Sequence, residues 1–428
     1  MTDPNLRDIT YEILYQIMEQ DGYSHLVLGG ALEKHQYLTK QQRAFITRVV
    51  QGTVERVLQL DAVINQFVKK PKVAKMKPAI RTILRSSVYQ LLYMDGVPDS
   101  AVCNEAVKLA KKKGYGGLSG FVNGVLRNIS RNKDTITFSG LSEAYAMPRW
   151  IVDLWGDSYP PEQVEEILSA FLQEKKTCIR VNTSRISKEE LRQRLQSQNI
   201  SVEECREIPY CLYIWGYDYL KAIPEFTEGL FYVQDFSSMM VAHVAGIKKD
   251  DVIIDVCAAP GGKSLHAAEL LQGTGSVEAR DVSDYKVDLM EENIAKSGMD
   301  NIRAVKMDAT IYDEASAEKA DVVICDVPCS GLGVIAKKPD IKYHMTREKQ
   351  LELVKLQRHI LDTVHRYVKP GGTLLYSTCT ICRDENQDNV NWFLQQHKEF
   401  VLDDMQQLLP QGGTRDGFFY AKMIKENL

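Results

Sequence analysis

The chain has 428 residues, 44% of them apolar, with 53 Lys and Arg against 57 Asp and Glu for a formal net charge of −4. That length predicts two or three domains, and the apolar share excludes global disorder. No apolar run approaches the roughly 18 residues of a spanning helix, so no membrane attachment is expected. A secretory signal is missing, and nine cysteines spread over so long a chain read as reduced thiols of a cytoplasmic protein.

The charge is unevenly divided. Residues 1–134 hold 20 basic and 12 acidic side chains, a net of +8, and the remainder a net of −12. Leu6, Ile9, Ile13, Leu14 and Ile17 recur at the helix period, as do Ile80, Ile83, Leu84, Leu91 and Leu92, then Phe121, Val122, Val125, Leu126 and Ile129. Pro71, Pro78, Pro98 and the stretch 114–120 punctuate them. An all-α bundle over 1–138 is expected. Lys69, Lys70, Lys72, Lys75, Lys77, Arg81 and Arg85 follow one another without an acid between them, and Lys111, Lys112, Lys113, Arg127, Arg131 and Lys133 form a second group. Such asymmetry suits an anionic partner, although a solvated helical face reads the same way.

Residues 139–227 read as a small α+β module of the βαββ kind. A strand is expected at 178–182, then a helix over 187–198 with Ser187 as N-cap and Glu190 completing a capping box, then two short strands near 200–215.

From 228 to 428 short apolar runs alternate with helix-length segments. Strands are expected at 252–256, 275–281, 303–308, 320–326 and 372–377. The fold class is α/β: a Rossmann-like, doubly wound sheet, rich in parallel strands.

Ligands of such sheets bind beyond the carboxyl ends of the strands. The first strand runs into Cys257, Ala258, Ala259, Pro260, Gly261, Gly262 and Lys263. Small residues and two glycines let a ligand approach the backbone. The next strands end in Asp281, Asp308 and Asp326. Asp281 stands where an acid accepts from ribose hydroxyls, and Asp308 where it meets an adenine edge. The loop lacks the G-x-G-x-x-G of dinucleotide enzymes and the Walker pattern. A compact, acidic site suits the sulfonium S-adenosyl-L-methionine (SAM).

Two cysteines follow adjacent strand ends, Cys329 after the fourth and Cys379 after the fifth. If those strands are neighbours, about 4.8 Å apart, both thiols face the crevice of the methyl donor. Carbon 5 of a pyrimidine is too weak a nucleophile to take a methyl group directly. A thiolate adding to carbon 6 activates it, and an acid such as Asp326 can meet the base's N3/N4 edge. A zinc quartet of Cys325, Cys329, Cys379 and Cys382 is the competing reading, but Cys325 lies within an apolar run. No metal site is assigned. Cys103, Cys178, Cys205 and Cys211 read as structural.

CAAPGGK (257–263), DVPCSGLG (326–333), YSTC (376–379) and DGFFYAK (416–422) together resemble the RNA cytosine-C5 methyltransferase family over roughly residues 145–428. VCNEAVKLAKK (102–112) and GFVNGVLRNI (120–129) resemble the RNA-binding factor NusB. That fusion is typical of the family's bacterial 16S rRNA members. The resemblance implies Cys379 as nucleophile and Cys329 as the residue assisting product release. It implies that the 257–263 loop, Asp281, Asp308 and Asp326 hold SAM, with Lys263 orienting the target. It also implies a hairpin-loop cytosine of 16S rRNA as substrate, at family position 967, free or in an assembling small subunit, and a monomer. Val327 departs from the alanine common at that position. A tRNA substrate and a non-catalytic RNA-binding assembly factor are the alternatives.

Overall fold

The computed structural model describes residues 5–427. They divide into two compact units, one reaching to Leu172 and including Ile335–His344, the other made of Gln173–Val334 and the residues from Met345 onwards. No helix among the described residues is long and apolar enough to cross a membrane.

The first unit is helical. Asn5 caps Leu6–Glu19 by accepting from the backbone of Arg7 and Asp8, and a Thr39–Gln42 capping box opens Lys40–Glu55. Pro78 starts Pro78–Tyr93 at a position where its missing N–H costs nothing. The buried face of that helix (Ile80, Ile83, Leu84, Val88, Leu91) shares one core with Val122, Val125, Leu126 and Ile129 of Ser119–Arg131. The helix-period positions are thus the core. Helices Arg149–Gly156 and Pro161–Phe171 belong to this unit too, with Trp155 stacked on Phe171. This compact unit thus runs past residue 138, where the sequence divides the bundle from the next module.

Its basic side chains split into two populations. Arg81 pairs with Glu19, Arg85 with Asp61 and Glu19, Lys112 and Lys113 with Asp8, and Lys133 with Asp99. Lys69, Lys70, Lys75, Lys77, Lys111 and Arg131 stay exposed, and none pairs with an acid among the described residues.

The segment 335–344 is seated by buried polar groups. Asp340 accepts from the Ser24 amide (3.1 Å) and hydroxyl, Lys342 donates to the Glu55 carbonyl (2.7 Å), and Tyr343 packs against the cluster of Leu14, Ile46 and Val50.

The second unit holds two sheets. In the smaller one β1 (Thr177–Val181), β2 (Ser201–Glu204), β3 (Cys211–Trp215) and β4 (Phe231–Val233) run antiparallel in the order β2-β3-β1-β4. The expected strand–helix–strand–strand succession is present. β4 lies beyond residue 227, so the small sheet draws a strand from what the sequence assigned to the next region. Ser187 caps the helix Lys188–Ser197 through the Glu190 amide, but the reciprocal half of the capping box is not formed. The Glu190 carboxylate binds Arg194, one turn on, instead (2.6 Å).

The larger sheet contains β5 (Val252–Asp255), β6 (Ser276–Asp281), β7 (Ile302–Lys306), β8 (Ala320–Asp326), β9 (Val368–Thr378), β10 (Phe400–Leu408) and β11 (Phe418–Lys425), in the order β10-β11-β9-β8-β5-β6-β7. β5 to β9 are parallel, and β11 is antiparallel to both β9 and β10. All five expected strands form, and the Rossmann-like architecture with them. β7 stops at Lys306, so Asp308 sits in the following loop rather than on the strand. Strand order reverses between β5 and β8, which opens the crevice there.

Candidate active site

Four strand ends, those of β5, β6, β8 and β9, build the site. At the end of β5 the chain turns through Cys257–Gly261 and enters the helix Gly262–Leu270. Gly261 makes the turn at φ 96°, where a side chain would be strained, and the space beside Gly262 is open. Asp281, at the end of β6, is 4% exposed and accepts from the Ala259 amide (3.1 Å), the Val282 amide (2.8 Å) and Lys286 (3.0 Å). This ties the loop to the neighbouring strand. Asp308 turns one oxygen onto Thr310, whose hydroxyl and amide hold its carboxyl below the ordinary range. The loop, Asp281 and Asp308 line one side of the crevice with small groups and acceptors, a donor set that fits a cationic nucleoside. Burial pushes the Cys257 thiol up, so this cysteine is an uncharged wall of the loop.

Asp326, closing β8, lies in register with Ser377 of β9. Its two oxygens are both engaged, one by Lys263 Nζ at 2.6 Å and the other by Ser377 Oγ at 2.7 Å. Burial works against the Lys263 charge. Contact with Asp326 outweighs it, and Asp255 and Cys379 add to the field that keeps this ammonium protonated. Asp255 is fully buried beneath them. Its carboxyl is pushed up to about 7 by burial, against the Ser264 hydrogen bond of 2.6 Å that favours ionisation.

Cys329 and Cys379 meet, Sγ to Sγ, at 3.2 Å. The hydrogen bond to Cys379 is the first cause, and burial the second, that raises the Cys329 thiol well above its ordinary value. Either thiol can donate in this contact. Cys325 and Cys382 are buried and stand apart from this pair, Cys325 in the sheet core.

A polar layer under the pair was not read from the sequence. Glu385, 0% exposed, accepts from the Ser330 amide (2.9 Å) and hydroxyl (2.6 Å) and from Gln357 (3.0 Å). Gln357 also donates to the Pro328 carbonyl, and Asn389 reaches Gln357 and Tyr376. Gly333 is a further fixed point. Its amide donates to the Cys379 carbonyl and its carbonyl accepts from Gly417, and a Cβ on Gly333 would collide with the Gly417 carbonyl. The DGFFYAK segment thus clamps the loop that carries Cys329.

A profile of the 16S rRNA methyltransferase RsmB/F family matches residues 242–424, one of the NusB family residues 4–131, and one of the ferredoxin-like domain of RsmF/B-like methyltransferases residues 147–216. The chain is 35% identical to the probable ribosomal RNA small subunit methyltransferase B of Bacillus subtilis, over the full length of both. The chain belongs to the 16S rRNA methyltransferase RsmB/F family. The ribosomal RNA small subunit methyltransferase B of Salmonella paratyphi A is 31% identical, with 99% of each chain covered. Among solved structures, PH0851 superposes with a TM-score of 0.83 at 26% identity, covering 99% of this chain and 100% of that one. NSun6 from Pyrococcus horikoshii, solved with SFG, superposes at 0.58 with 25% identity, covering 66% and 99%. The family is one of SAM-dependent rRNA methyltransferases, and its fold is the one described here.

Proposed function

We propose that this protein methylates carbon 5 of a cytosine in 16S rRNA, at the family position 967, through a thiolate adduct at carbon 6. The observation that carries this reading is the pair of thiols 3.2 Å apart, beside the Lys263–Asp326 contact. The loop 257–263, Asp281 and Asp308 would hold SAM, which supplies an electrophilic methyl group. A SAM analogue bound to a structural relative supports SAM as the cofactor.

Cys379 is the nucleophile. Its sulfur forms a bond to carbon 6, and the electron pair displaced onto carbon 5 would take the methyl group as the methyl–sulfonium bond breaks and the donor sulfur keeps that pair. Asp326 and Lys263 face the N3/N4 edge and stabilise the charge that builds there. A base then takes the carbon 5 proton, the pair left behind re-forms the ring double bond, and the Cys379 sulfur departs with the electrons of its bond to carbon 6. Cys329, whose sulfur stands 3.2 Å from that of Cys379, assists that release. The target base must leave its stack, which costs a few kcal/mol and less in a loop.

The exposed lysines of the first unit would grip phosphates and set register, leaving base contacts to the crevice. Bisulfite sequencing of 16S rRNA from a strain lacking the gene tests substrate and position together. Loss of one methylcytosine, restored by the wild-type gene and not by Cys379→Ala, is the expected result. An unchanged 16S pattern with a lost tRNA site would replace the substrate.

A further inference from the structure

At the edge of the larger sheet opposite the thiol pair lies a group that the methyl-transfer chemistry leaves unused. His365 is the C-terminal cap of the helix Arg347–Val364, and His397 that of Gln387–Gln396. Both imidazoles stand at the negative end of a helix dipole, with ring centroids 4.0 Å apart.

Their outer contacts fix the tautomers. His365 Nδ1 is 3.3 Å from the Leu361 carbonyl, so it carries the proton and leaves the Nε2 lone pair free. His397 Nε2 is 3.1 Å from Asp362 Oδ1, so it carries the proton and leaves the Nδ1 lone pair free. Both open nitrogens face the same oxygen. Glu399 Oε1 is 3.8 Å from His365 Nε2 and 3.6 Å from His397 Nδ1. Two lone pairs and a carboxylate oxygen converging in this way repel one another unless a positive charge sits between them.

We propose that His365, His397 and Glu399 bind a divalent transition-metal cation, zinc by their donor chemistry, with Asp362 orienting His397. Ligands about 2.0–2.1 Å from zinc are about 3.3–3.6 Å from one another, close to the 3.8 and 3.6 Å that separate Glu399 Oε1 from the two open nitrogens. A backbone carbonyl behind one histidine and a carboxylate behind the other are the supports that zinc-bound imidazoles use. His365 is fixed by packing against Phe393 and Phe400. Glu399 and Asp362 are partly exposed and leave a path from solvent. His365 lies three residues before the start of β9 and Glu399 directly precedes β10. The ion would join the starts of two strands, a structural role far from the reacting base.

The test is equilibrium dialysis of Zn²⁺ and Co²⁺ into untagged full-length protein. A Cys329→Ser/Cys379→Ser background removes the thiol pair as a competing ligand set. One equivalent of metal is expected, with a raised melting temperature and a Co²⁺ spectrum lacking intense thiolate bands. Glu399→Gln, at the exposed side, should weaken binding by tenfold or more, and Asp362→Asn by about 10–100-fold, the cost of losing an orienting partner. His397→Gln should abolish it. If His397→Gln fails to fold, Glu399→Gln decides. Uptake equal in the parent and Glu399→Gln, thiolate bands in the Co²⁺ spectrum, or no uptake would each overturn the proposal.

Discussion

Ser330, the residue after Cys329, gives both its amide and its hydroxyl to the two oxygens of Glu385, at 2.9 and 2.6 Å. The position of the Cys329 loop is thus set by a carboxylate from the segment that follows Cys379. Burial raises the Glu385 carboxyl, while the hydrogen bonds from Ser330 and Gln357 oppose that shift.

Glu385→Ala strips the acceptor from the buried Ser330 amide, a loss of about 1–3 kcal/mol, while the Ser330 hydroxyl keeps Thr380 and Gln357 keeps the Pro328 carbonyl. A fall in melting temperature of several degrees and a lower kcat are expected. Glu385→Gln retains one acceptor and should lose less of both. Equal effects from the two variants would argue that shape alone, not the bidentate contact, holds the loop.

The two cysteines should separate by phenotype. Cys379→Ala is expected to reduce methylation by about a thousandfold or more, as removal of a nucleophile does. Cys329→Ala should still attack and then stall, leaving a protein–RNA adduct that survives denaturing gels. Adduct formation by Cys379→Ala would reverse the roles.

Asp255 gives a pH signature. Its folded value of about 7 lies above the ordinary 3.8, so the folded state binds this proton more tightly. That contribution is fully present below about pH 4 and is lost as pH rises through about 7. A loss of a few kcal/mol is the order of magnitude for a group so deeply buried. Urea unfolding of the unliganded protein should show this decline, and Asp255→Asn should flatten it. A parallel decline in the variant would assign the proton elsewhere.

The basic side chains should divide by function. Charge reversal at Lys69, Lys70 and Lys77, which are exposed, should weaken RNA binding and reduce the salt slope by about one for each phosphate no longer gripped. Little change in kcat at saturating RNA is expected. Arg81→Glu breaks the ion pair with Glu19 and should lower stability instead. Filter binding over a salt series and thermal melts distinguish the two outcomes.

Much of this was legible because local and global signals agree. The apolar runs at 252–256 and 320–326 could only be buried strands, and the motifs at their ends carry the acids and thiols. Three things were hidden. β10 is exposed along most of its length and sets apolar Val401 and Leu402 beside polar residues without alternation, so no strand pattern marks it, and β11 is placed by its antiparallel pairing with β9. Glu385 reads as one acid in the charged stretch Arg383–Glu385, and only the fold buries it under Ser330. His365 and His397 lie on separate helix ends with no ligand spacing to connect them. The basic run misled in the opposite sense, since Arg81 and Arg85 are held by acids distant in sequence.

The seating of residues 335–344 bears on how the protein can be taken apart. The chain leaves the helical unit after Leu172, returns for Ile335–His344, and leaves again. A fragment ending at Leu172 would keep the Ser24 hydroxyl and the Glu55 carbonyl but lose Asp340 and Lys342, which satisfy them. It would also open a hole where Tyr343 packs. Dissection by a single cut is thus denied to this molecule. An autonomous helical piece would need the ten-residue segment supplied as a separate peptide or spliced on by a linker. Synthesis meets the same constraint: a chain growing from its N-terminus must make β5 to β8 before the helical unit can close its last gap.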